Sequence, residues 1–129
     1  MALPRKSDTG YTFSQGRTKL KAYERFIKYA SFPTQSNEES ESCPSTEKQL
    51  ALAKALVSEL LELGISNARV DEHGYVYASL ESNTDKEVNS IGFIAHMDTS
   101  PDAPDENINL LITDYKGGDI LINPEKKYI

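Results

Sequence analysis

Between residues 19 and 31 the apolar side chains Leu20, Tyr23, Phe26, Ile27 and Ala30 recur every three or four positions, with charged and polar residues in the gaps. That spacing predicts an amphipathic helix with one face turned to a core. Pro33 ends it, because the residue before a proline is driven out of helical geometry. The next stretch, TQSNEESESCPSTE, is polar, acidic and rich in turn formers, which predicts a surface loop. Leu50, Ala53, Leu56, Val57, Leu60 and Leu61 then set a second helical stripe, predicted over residues 45–63. Thr46 and Gln49 stand at capping-box spacing behind Pro44, and Gly64 supplies the left-handed residue on which many helices end.

Beyond Gly64 the period changes from helical to alternating. ARVDE and YVYASLE flank His73 and Gly74, which predicts a β-hairpin turning on that dipeptide. His73 reads as an ordinary solvent-exposed turn residue. A polar connection, SNTDKEVN, leads into the unbroken apolar run IGFIA at residues 91–95. A continuous run of this kind suits a central strand covered on both faces. It would set Ile91, Phe93 and Ala95 on one side and Gly92, Ile94 and His96 on the other. Two helices, a hairpin and a buried strand make an α/β layered architecture.

A length of 129 residues fits one domain with a core, and 38% hydrophobic content fits a globular chain. No apolar run approaches the twenty or so residues of a membrane span, and the first residues lack the apolar centre of a secretion signal. Cys43, the one cysteine, has no internal partner and sits in an exposed Ser/Glu/Pro-rich setting. Both points predict a cytoplasmic location with a reduced thiol. The net charge of −6 is unevenly spread, since Arg5, Lys6, Arg17, Lys19 and Lys21 face only Asp8 in the first 21 residues. Residues 1–18 are therefore expected to be a basic flexible leader, with the folded part at 19–129. An acidic body argues against nucleic acid as a partner, because such binding rests on phosphate neutralisation.

The candidate chemistry lies where the apolar run ends. Side chains two apart on a strand share a face, so His96 and Asp98 emerge together at its carboxyl end, the end where open α/β sheets bind ligands. Imidazole is a favoured zinc ligand, and a ligating histidine commonly donates its other ring N–H to a carboxylate. By itself, His-x-Asp is a weak signal, and a strand-end histidine is more often an ordinary structural residue. Other motifs are missing: there is no HExxH, CxxC pair, phosphate loop or GxSxG, and Gly117-Gly118 reads as a turn.

The wider context is more specific. SIGFIAHMDTSPDAP, followed by NINLLITDYKGGDILIN, closely resembles the tripeptide aminopeptidases of the di-zinc exopeptidase family, which also holds aminoacylases and carboxypeptidases. YERFIKYASFPTQS is similar to that family's first helix, and LAKALVSELLELGISNARVDEHGYVYASL to its second helix and first hairpin. The resemblance implies a helix–sheet–helix catalytic domain, with His96 a zinc ligand and Asp98 the catalytic carboxylate held against it. It implies two zinc ions, a small peptide substrate and release of the first residue of a tripeptide. It also implies that the other metal ligands, the general-base glutamate and the lid domain follow Ile129, so this chain would be an amino-terminal portion with an incomplete, inactive site. Two other readings stand beside it: an aminoacylase- or dipeptidase-type amidohydrolase, or a metal-free binding or assembly module retaining the start of the fold.

Overall fold

The computed structural model describes residues 20–122; the expected basic leader at 1–18 lies outside the described residues. Four elements follow in order: α1 (Ala22–Ala30), α2 (Gln49–Glu62), β1 (Arg69–Val70) and β2 (Val76–Tyr77). The strands form a two-stranded antiparallel sheet in which Arg69 faces Tyr77 and Val70 faces Val76. The architecture is a partial α/β domain.

Helix α1 starts where the Glu24 carboxylate accepts the Lys21 N–H at 2.6 Å, placing an anion at the positive helix end. It stops where Ser31 donates through its hydroxyl to the Lys28 carbonyl at 2.6 Å, ahead of Pro33. The expected apolar face does not lie against a core: Leu20, Tyr23 and Phe26 are exposed. The reason is the mode of docking. Arg25 and Lys28, on the opposite flank of the helix, both pair with Glu59 of α2, Lys28 at 2.8 Å. Glu59 is buried, and its two cations hold the helices together through the polar side of α1.

Helix α2 begins later than the pattern predicts, and the Thr46/Gln49 capping box does not form. Gln49, Leu50 and Ala51 donate to the carbonyls of Thr46, Glu47 and Lys48 in a tight lead-in turn. The Thr46 hydroxyl donates instead to the Gln35 carbonyl at 2.9 Å, and the Gln49 amide to the Ser45 hydroxyl at 3.1 Å. Of the expected stripe, Ala53 is buried, Leu50, Leu56, Val57 and Leu60 are half-buried, and Leu61 is exposed. The buried row runs through Gln49, Leu52 and Glu59 because α2 serves α1 on one side and the hairpin on another.

Gly64 closes α2 as expected, with φ +91°. Its N–H donates to Leu61, and that of Ile65 reaches back to Leu60, each at 3.0 Å. This pairing is the Schellman motif, and it satisfies carbonyls that the helix end would leave bare.

The hairpin forms where predicted, around a three-residue turn rather than two. The Asp71 N–H donates to the Tyr75 carbonyl at 3.0 Å, and the Gly74 N–H to the Asp71 carbonyl at 3.1 Å. Gly74 takes φ +84°, which a glycine adopts without steric cost. One Asp71 carboxylate oxygen accepts the N–H groups of His73 and Tyr75 at 3.0 and 2.9 Å; the other accepts the Tyr77 hydroxyl. At the open end Asn67 brackets Ser79, donating to its hydroxyl at 2.7 Å and accepting its N–H at 2.9 Å.

The expectation of a buried central strand at residues 91–95 is overturned. These residues take no regular structure, and Phe93 is 95% exposed. A strand exists only when a neighbour takes up its N–H and C=O groups. Among the described residues β1 and β2 bond to each other, and no strand pairs with 91–95. The later apolar runs, including Leu111, Ile112, Leu121 and Ile122, are exposed as well. Buried apolar residues among those described are Leu52, Ala53 and Ala68, a very small core. No described helix is long and apolar enough to cross a membrane.

Candidate functional site

His96 and Asp98 are held together, although no strand delivers them. His96 Nδ1 lies 2.9 Å from the Asp98 carbonyl and 3.2 Å from its carboxylate Oδ1. Both partners are acceptors, so the proton belongs on Nδ1 and the Nε2 lone pair is left open. The ring is 85% exposed and Asp98 about half that. The pair is a ring of fixed tautomer on the protein surface, ready to offer one nitrogen.

What fixes the pair in space is the next residue. Thr99 makes a parallel bridge with Gln35: its N–H donates to the Thr34 carbonyl at 3.1 Å, and its carbonyl accepts the Ser36 N–H at 2.9 Å. The Thr34 and Thr99 hydroxyls meet at 3.3 Å, and Thr34 is only 3% exposed. The tripeptide Thr34-Gln35-Ser36, expected to be surface loop, is therefore the anchor of the site. The clue available in the sequence was its composition: three hydrogen-bonding residues directly after the helix stop at Pro33.

A groove of about 730 Å³ opens beside the pair, lined by residues of the α2 approach, the hairpin turn and the 93–98 segment. Cys43, His73, His96 and Asp98 all border it. Cys43 is free and exposed as expected, its thiol donating to the His73 carbonyl at 3.7 Å. His73 does sit on the turn, with its ring 3.8 Å from Glu72. The sequence marks it only as a turn residue; folding α2 against the hairpin brings it to the rim of the same groove as His96.

The donor chemistry fits one metal ligand, His96 Nε2, and does not by itself fit a metal centre. Among the described residues no three His, Cys, Asp or Glu side chains come close enough to share an ion. A zinc site requires about three or four such donors.

Comparison with known proteins gives the class first: the chain is similar to peptidases over most of its length. Those relatives are peptidase T. The protein of that name from Clostridium acetobutylicum is 50% identical over 107 residues, 82% of this chain and 26% of its own. Peptidase T of Desulfitobacterium hafniense strain Y51 is 53% identical over the same length. That of Caldanaerobacter subterraneus subsp. tengcongensis is 52% identical over 110 residues, 84% of this chain and 27% of its own. The chain thus spans about a quarter of the length of the curated relatives it matches. No family model matches it. A match over four-fifths of the chain necessarily takes in the anchor tripeptide, the groove and the His96/Asp98 pair.

Proposed function

We propose that this chain is the amino-terminal portion of the catalytic domain of a zinc-dependent tripeptide aminopeptidase, within a helix–sheet–helix layered fold. One observation carries the reading: identity near 50% to peptidase T across a stretch that includes the paired His96 and Asp98. His96 is then the zinc-binding residue, through Nε2, and Asp98 the carboxylate that fixes its tautomer and borders the reacting groups. The described residues supply one metal donor, so the remaining ligands belong to sequence that they do not include. The groove beside the pair is the place for a small peptide.

The test uses the polypeptide that carries this chain. It should release the first residue of a tripeptide in a chelator-sensitive way, and act far more slowly on dipeptides and acylated amino acids. Preference for an acylated amino acid or a dipeptide would move the assignment to a related amidohydrolase. Absence of turnover together with absence of zinc binding would leave a binding or assembly module.

A further inference from the structure

We propose that Asp105 is a positioning residue for the His96/Asp98 pair, acting through the strap of residues 99–105 clamped onto residues 34–36. The inference rests on the reading of that pair as the functional site. In the parallel bridge the backbone of Thr34 and Ser36 bonds Thr99, which leaves the N–H and carbonyl of Gln35 facing the other way. The Gln35 N–H donates to Asp105 Oδ2 at 2.6 Å, while its carbonyl accepts the Thr46 hydroxyl. Its side-chain amide donates to the carbonyls of Pro101 and Ala103 at 3.0 and 2.9 Å. Lys48, at the start of α2, pairs with the same Asp105 oxygen at 2.8 Å. One tripeptide therefore grips both ends of the strap, the near end at Thr99 and the far end at Asp105.

The residue immediately before the near grip is Asp98, whose carbonyl and carboxylate orient the His96 ring. From Thr99 to Ile122 Asp105 is the one buried residue, and the rest of that stretch is exposed. A lone buried carboxylate in an exposed strap, bonded to a cation and to a backbone N–H, is a fastening. Its removal frees the strap from the far end, and the slack reaches Asp98.

The experiment follows the ring and amide resonances of the isotopically labelled 129-residue chain, in wild type, Asp105→Asn and Lys48→Met. Hydrogen exchange at the Ser36 and Thr99 amides should accelerate about tenfold or more in Asp105→Asn, the scale of a lost charge-assisted bond. The His96 ring signals should move toward those of free imidazole, while exchange at Ile65, at the far end of α2, stays unchanged. Lys48→Met should shift the same signals less, because the Gln35 bond survives. If Ser36 and Thr99 accelerate while the ring signals stay put, Asp105 is merely structural and the proposal fails. Should Asp105→Asn lose its fold, Lys48→Met decides alone. A zinc titration of the polypeptide that carries the remaining ligands separates the two readings. A His96 ring that ignores zinc there defeats the ligand assignment, whereas control of the ring by Asp105 is measured on the 129-residue chain without metal.

Discussion

Replacing Phe93 with lysine distinguishes the two accounts of residues 91–95 by a wide margin. Were the segment a central strand, the change would forfeit about 1.5–3 kcal/mol of apolar burial. It would also bury an ammonium group, costing several kcal/mol more unless the charge is lost. The sum is on the order of 5 kcal/mol, comparable with the whole stability of a small domain. In the structure the Phe93 side chain is 95% exposed, and surface replacements of that kind change stability by only about ±0.5 kcal/mol. Ile94, also fully exposed, would point to the opposite face of a strand, so Ile94→Lys tests the other side with the same expectation. Urea unfolding of each variant, followed by the helical circular dichroism of α2, reads the difference. Binding of a hydrophobic dye should fall in both, since accessible apolar surface has been removed. A loss above about 2 kcal/mol in either variant, on the scale of burying one large side chain, would refute the exposed placement.

Gly64→Ala should cost about 1–2 kcal/mol, read as a lowered thermal midpoint: the added methyl meets open space, so the loss is backbone strain at φ +91° alone. The Asp105 carboxyl is held below the ordinary carboxylate range by the Lys48 hydrogen bond first and the Gln35 N–H second, against burial. Its ionised form is thus favoured by the fold; the clamp is complete above the unfolded pKa and is lost as pH falls through the lower folded value. The Gln35 amide resonance should accordingly titrate below pH 3.8 and stay flat through neutrality. In the polypeptide that carries this chain, Asp98→Ala should lower zinc affinity or turnover about 10–100-fold with little change in thermal midpoint, and full activity at limiting zinc would remove Asp98 from the site.

The parts of the fold that are legible in the sequence are those decided by short-range chemistry. Pro33 and Gly64 end helices wherever their neighbours go, and the Asp71-to-Tyr75 turn closes on its own hydrogen bonds. The misread parts depend on a partner. The apolar row of α1 predicts its buried face, but the helix is docked by Arg25 and Lys28 onto Glu59, a choice that no period reveals. Residues 91–95 have the composition of a buried strand, yet composition states a preference, and burial requires a second surface. Thr46 had the spacing of a cap and bonded the Gln35 carbonyl, 11 residues upstream, instead.

The candidate site divides along the same line. His96 and Asp98 are two residues apart, so their contact is local and a tripeptide of sequence is enough to suggest it. The anchor is not local: Gln35 and Asp105 are 70 positions apart, and neither stands in a recognisable motif. Their pairing matters because the buried apolar side chains among the described residues are Leu52, Ala53 and Ala68, none of them in the strap. Hydrophobic burial is non-directional and would not fix the rotation of one imidazole ring in any case. Hydrogen bonds have defined distances and angles, and a set converging on residues 34–36 can fix that rotation. The order of the site loop is therefore electrostatic in origin. It should respond to acid and to the charge at position 48 before it responds to changes in the small core.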